Sequence, residues 1–222
     1  MMGSGVAIGK FDLDEVYGLT DADGKTFRDE LEAIGYLGSD PATVGEVAAF
    51  FEVHIEQGPI LEDEDKTIGI VQGAQGQRWF DVTLIGQEAH AGPTPMKTRR
   101  DALVGAAEIV AAVNRIGLEF QSGACATVGQ FDVSPNPRNT IPAHVAFSVD
   151  LRHPDDDRLS AMTAALEKAC EAAASGRGLE LDCQEIWYQP PIVFNPDCVA
   201  AVQGGAEAAG LEAMKIVSGA GH

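Results

Sequence analysis

Between residues 77 and 188 the hydrophobic period switches from two to 3.6 and back in a fixed order, and that order leaves few folds open. QRWFDVTLIG (77–86) alternates as a strand. TRRDALVGAAEIVAAVNRIG (98–117) has helical spacing, with Leu103, Ala106, Val110 and Val113 as its stripe. Thr98 and Asp101 stand at capping-box spacing, and Gly117 marks the expected end. ACATVGQFDV (124–133) and HVAFSVDLRH (144–153) alternate again. Residues 155–175 return to the helical pattern through Leu159, Met162, Leu166, Ala169 and Ala173, and LELDCQEIWY (179–188) is a last strand. The order β-α-β-β-α-β is the split-βαβ or ferredoxin-like arrangement. Its helices cover one sheet face, so the other face or an edge strand is left for a partner, and dimerisation through this domain is expected.

The flanks read differently. Residues 26–34 form a short amphipathic helix, with Phe27, Leu31 and Ile34 on one face, Thr26 as cap and Gly35 at the end. FFEVHIE (50–56) alternates as a strand and runs into Gln57-Gly58-Pro59, which must leave the sheet. IGIV (68–71) is a second short strand, and QGAQGQ (72–77) reads as a hinge. After a Pro-rich return at 189–196, Asn195 as cap and Pro196 at the first helical position start a helix that Gly210 ends. MKIVSGAGH (214–222) is a strand followed by a Gly-rich loop that reaches His222. The expected organisation is one discontinuous domain, residues 1–76 and 189–222, with 77–188 inserted into it.

Composition narrows the function classes. The net charge is −19, so phosphate backbones and anionic membranes are repelled, and neither nucleic acid nor membrane is an expected partner. No run of about 18 apolar residues exists, and MMGSGVAIGK lacks the basic and apolar regions of a secretory signal. A cytoplasmic protein is expected. The four cysteines, Cys125, Cys170, Cys183 and Cys198, show no C-x-x-C spacing and read as reduced, buried thiols rather than a disulfide or zinc-thiolate set. Walker, G-x-S-x-G and H-E-x-x-H motifs are missing from the sequence.

Three of the five histidines have settings suited to chemistry. His54, in VHIEQGP, shares a strand face with Glu56, and such a pair at a strand end can bind zinc or manganese. His90, in EAHAGPTPM, sits on a loop stiffened by glycine and two prolines, which preorganises it to touch a ligand. His222 follows the glycines of SGAGH. Asn139, in SPNPRNTIP, and Arg152, in VDLRHP, can bind an amide carbonyl and a carboxylate. The competing reading of Arg152 is an ion pair with the acidic stretch Asp155–Asp157.

Together VHIEQGPIL, GAQGQRWFDVTLIGQEAHAGPTPMKTRRDAL, PNPRNTIP, VDLRHP and SGAGH resemble one family. It is the metal-dependent amidohydrolases that include N-carbamoyl-L-amino acid hydrolase, beta-alanine synthase and allantoate amidohydrolase, relatives of aminoacylase and the carboxypeptidase G type peptidases. The resemblance implies an α+β chain, a ferredoxin-like lid inserted into an α/β catalytic domain that holds two divalent ions, zinc or manganese. It implies hydrolysis of a linear C–N amide bond in an N-carbamoyl amino acid or ureido acid, and a homodimer formed through the lid. His54 and His222 resemble ligands of the two metals. Gln57 resembles a polar neighbour of the substrate. His90, Asn139 and Arg152 resemble lid residues that bind the substrate carboxylate and polarise the scissile carbonyl, partly across the dimer, and Arg78, in GQRW, is of the same kind.

The family also has a first histidine, a bridging aspartate and a Glu-Glu pair upstream of the segment that begins here at MMGSG, and it continues beyond the position of His222. The chain therefore resembles an internal fragment with no general base of its own, and little or no activity is expected of it alone. The alternative from another class is a non-catalytic dimerisation or binding module made mainly of the lid. A peptidase of the same clan is a third reading.

Overall fold

The structure, a computed structural model, describes residues 2–121 and 123–220, and it divides into two compact units. Residues up to Ile55 make the first unit. It holds three short helices, α1 (Met2–Ala7), α2 (Leu13–Tyr17) and α3 (Phe27–Ala33). Asp12 caps α2 by accepting from the Asp14 and Glu15 N–H groups at 2.9 and 3.0 Å. Thr26 caps α3 as expected: its hydroxyl accepts from Asp29 N–H at 3.0 Å, and the Asp29 carboxylate accepts from Thr26 N–H at 3.4 Å. The strand expected over 50–56 does not form. Phe50, Phe51, Val53 and Ile55 are all exposed, because among the described residues that segment has no second strand to pair with. A lone strand cannot satisfy its own backbone.

The second unit, Glu56–Ala220, carries the rest. In chain order it comprises α4 (Ile60–Asp63), β1 (Ile68–Ala74), β2 (Gly76–Ile85), β3 (Ala89–His90), α5 (Ala102–Phe120), β4 (Cys125–Ser134), β5 (Thr140–Ile141), β6 (His144–His153), α6 (Asp156–Arg177), β7 (Glu180–Gln189), β8 (Ile192–Val193), α7 (Pro196–Ala208) and β9 (Ala213–Ser218). A small sheet has the order β8-β1-β9, with β1 parallel to β9 and antiparallel to β8. The larger sheet is antiparallel with the order β4-β6-β2-β7, the ferredoxin-like topology that the alternation predicts.

Alternation decides which residues of that sheet are buried. Phe80, Val82 and Leu84 of β2 and Val145, Phe147, Val149 and Leu151 of β6 face α5 and α6 and form the core with Ile109, Leu159, Met162 and Leu166. The intervening residues, Trp79, Asp81, Ser148, Asp150 and Arg152 among them, lie on the face opposite to α5 and α6. Trp79 meets Trp187 across strands there, ring centroids 6.4 Å apart.

Helix α5 corrects three expectations. Its cap is Asp101, which accepts from Val104 N–H at 3.1 Å, while Thr98 closes a 3-10 turn, Met96–Thr98. The buried face therefore runs through Ala102, Ala106, Ile109, Val113 and Ile116, and Leu103 is 36% exposed. Gly117 does not end the helix either. A Cβ there would lie 3.2 Å from that of Ala126, so this glycine lets α5 approach β4 closely. The expected hinge is mostly strand: only Gln75 separates β1 from β2, and it is tied by its N–H to Ser218 O at 2.9 Å and by Nε2 to Gly123 O at 2.7 Å. All four cysteines are free thiols, with Cys170 buried and Cys125 exposed rather than buried. Among the described residues no helix is long and apolar enough to cross a membrane.

Candidate functional site

Two segments far apart in sequence meet at one corner of the lid. The two-residue strands β3 and β5 pair, Ala89 with Ile141 and His90 with Thr140. Ala91 N–H donates to Asn139 O at 2.8 Å, so His90 and Asn139 are brought side by side. His90 is exposed, and its Nδ1 accepts from Gly92 N–H at 3.1 Å. An Nδ1 that accepts leaves the ring proton on Nε2, so the imidazole offers an Nε2–H donor.

At the other end of the sheet Arg152 is held side-on by Asp150. Its Nε lies 3.0 and 3.1 Å from the two carboxylate oxygens, and Nη2 lies 2.6 Å from Oδ2. Nη1 donates to Gly219 O, in the loop after β9. The strand period of two puts Asp150 and Arg152 on one face, which is why this pair forms. The pairing with Asp155–Asp157 does not: Asp155 caps α6 instead, accepting from Arg158 N–H at 2.9 Å. Asp150 raises the guanidinium pKa further by accepting its hydrogen bonds. Of the five N–H donors of an arginine, these contacts leave two for a ligand. Motif reading missed Asp150, although its i, i+2 spacing on a strand is the signal that could have found it.

Arg152 and the His90–Asn139 corner lie at opposite ends of β6. The corner adjoins His144, since β5 leads into β6 there and Gly86 N–H donates to Ala143 O at 2.7 Å. Arg152 is eight positions further along, about 26 Å at the usual strand rise. One copy of the chain cannot close these groups around one small molecule.

The remaining expected residues are placed as follows. Arg78 stands on the helix-bearing face, opposite to Arg152: it donates to Glu185 at 2.9 Å and to Ser160 Oγ at 3.2 Å, and its guanidinium lies 4.2 Å from the Tyr188 ring centre. Gln57 is exposed and has a left-handed backbone, φ 56°. Glu56, expected to share a strand face with His54, instead caps α4, its oxygens accepting from Ile60 and Leu61 N–H at 2.8 Å each. His54 is exposed, and its Nδ1 is at hydrogen-bond distance from Ile55 O. A carbonyl partner puts the proton on Nδ1 and leaves Nε2 as the lone-pair nitrogen, the usual arrangement of a metal-ligating imidazole. That fits one ligand, whereas a zinc ion wants about four. Among the described residues no three His, Cys, Asp or Glu side chains come together to hold an ion. His222 lies outside the described residues.

Residues 72–177 match the family of the peptidase dimerisation domain. Over 222 residues the chain is 42% identical to the N-carbamoyl-L-amino-acid amidohydrolase of Rhizobium meliloti, which accounts for 100% of this chain and 53% of that protein. It is 34% identical over 223 residues to the allantoate amidohydrolase of Escherichia coli (strain K12), 99% of this chain and 54% of that one. A crystal structure of an amidase of the hydantoinase/carbamoylase family from Burkholderia vietnamiensis has a TM-score of 0.91 and 52% identity over 100% of this chain and 54% of its own. The chain thus spans about half the length of the relatives it matches.

Proposed function

We propose that this chain, similar over its length to the N-carbamoyl-L-amino-acid and allantoate amidohydrolases and matching the peptidase dimerisation domain over 72–177, is the lid-bearing part of an enzyme that hydrolyses a linear C–N amide bond in an N-carbamoyl-L-amino acid or allantoate-like ureido acid. The observation that carries this reading is the distribution of polar groups along the lid sheet. Arg152, fixed by Asp150, suits a substrate carboxylate, and the His90–Asn139 corner suits a carbonyl oxygen that gains negative charge. Their separation along β6 calls for a homodimer, in which one copy gives Arg152 and the other gives His90 and Asn139.

His54 and His222 each contribute one imidazole to a divalent-metal centre of zinc or manganese in this reading, and Gln57 lies beside the substrate. A divalent ion held there would supply a Lewis acid for the carbonyl and for a water. The chain's own residues orient the substrate through its carboxylate and stabilise the carbonyl oxygen. With one imidazole for each ion and no base assigned, the chain alone is expected to turn over little. Four free thiols fit a reducing, cytoplasmic setting.

The family match over 72–177 also supports a second reading, a non-catalytic dimerisation or binding module. Titration calorimetry of the purified chain with an N-carbamoyl-L-amino acid, with metal analysis and sedimentation, separates the two. The enzyme reading expects a dimer, metal that is not fully bound by this chain alone, and saturable ligand heat that is lost in Arg152→Ala. A dimer with no ligand heat would select the module. Substantial turnover by the chain alone would overturn the expected inactivity.

A further inference from the structure

The loop between β3 and α5 is closed by one side chain. Arg99 is half-buried at the end of that loop. Its Nη2 donates to Ala91 O at 2.7 Å and to Thr94 O at 3.0 Å, and its Nε donates to Thr94 O at 3.1 Å. Ala91 O and Gly92 N–H are the two ends of a single peptide group, and Gly92 N–H is the donor that meets His90 Nδ1 at 3.1 Å. The preceding peptide is held at both ends as well: His90 O accepts from the Thr94 hydroxyl at 2.7 Å, and Ala91 N–H donates to Asn139 O at 2.8 Å.

A peptide group is planar, so fixing its oxygen fixes the direction of its N–H. A guanidinium on the oxygen also polarises the group and makes the N–H a better donor. We propose that Arg99 is a positioning residue for His90: by locking the Ala91–Gly92 peptide it keeps the imidazole in the Nε2–H tautomer and in one orientation. The inference rests on the reading that His90 meets the substrate, and it names the group that prepares that donor. A lysine keeps the charge but has no planar fork to hold two carbonyls at once. The neighbouring Arg100 has a different task, donating to Gly178 O at 2.6 Å in the turn between α6 and β7, and serves as a control.

The test uses the full chain with 15N-labelled histidine, in long-range 1H–15N spectra at about pH 8.5, where an ordinary imidazole is neutral. The His90 signals, identified by their loss in His90→Gln, are expected to show a single Nε2–H pattern. Arg99→Lys is expected to give averaged ring-nitrogen shifts and about tenfold faster exchange of the Gly92 amide, the loss of about one good hydrogen bond. Arg100→Lys and Thr94→Val are expected to keep the wild-type pattern. Retention of the pattern and of Gly92 protection in Arg99→Lys would overturn the proposal, as would its loss in Thr94→Val alone. Methyl spectra of the lid core confirm that each variant is folded. Ligand titration keeps the two claims apart. If Arg99→Lys frees the ring but His90→Ala leaves N-carbamoyl amino acid affinity unchanged, the positioning role stands and the functional reading falls.

Discussion

Arg152 donates from its guanidinium to the carbonyl of Gly219, joining the end of β6 to the loop that follows β9. The same guanidinium is held side-on by Asp150, so its free edge is directed by two partners at once. Such a fork loses little further freedom when it takes a carboxylate.

Asp150→Asn removes the charge-assisted side-on pair while keeping its shape. Affinity for an N-carbamoyl-L-amino acid is expected to fall about tenfold, measured by calorimetry, because the fork is no longer held in one plane. Thermal stability should change by only about 1 kcal/mol, since both side chains are partly solvated. Unchanged affinity would remove Asp150 from the site.

Mixing tests the division of the site between two copies. Arg152→Ala and Asn139→Ala chains are each expected to lose ligand binding. After exchange of subunits, random pairing should restore about a quarter of the sites, one in each mixed dimer. Calorimetric stoichiometry reads this directly. No recovery in a preparation shown to have exchanged would mean that each copy builds its site alone.

Gly86→Ala should destabilise the lid by about 2 kcal/mol or more in a denaturant melt. A Cβ at Gly86 would lie 2.1 Å from Arg100 O, and backbone cannot rotate away as a side chain can. The displaced Arg100 backbone adjoins Arg99, whose guanidinium holds Ala91 O, so the His90 signals should shift as well.

Glu108 accepts from the Arg177 guanidinium, and that hydrogen bond lowers its pKa below the ordinary 4.5. A carboxylate with a lowered folded pKa adds stability above its unfolded value, and the contribution fades as pH falls through the folded value. Both groups are largely solvated, so Glu108→Gln is expected to cost only a few tenths of a kcal/mol near neutral pH. In melts taken below about pH 4 the difference should shrink toward zero.

Periodicity located most of the lid because alternation is a local property with a direct structural consequence. β6 begins at His144 and ends at His153, the bounds of the alternating run. The same argument failed at 50–56, where alternating apolar residues meet no partner strand. It also misplaced the α5 stripe, choosing Leu103 where the Asp101 cap sets a register that buries Ile109 completely. Motifs marked His90, Asn139 and Arg152 as residues of interest, but they could not show that the first two adjoin and that the third stands at the far end of the strand.

Local pattern was thus enough to settle the strand and helix order of the lid, which face of β2 and β6 is apolar, and where α3 and α7 are capped, since each depends on neighbours within about four residues. Only folding in three dimensions decided that Arg99 closes on Ala91, that Ala91 meets Asn139, and that Arg152 reaches Gly219. Those partners are set by how loops close and strands pair over long separations, and no spacing along the chain encodes which carbonyl a guanidinium will face.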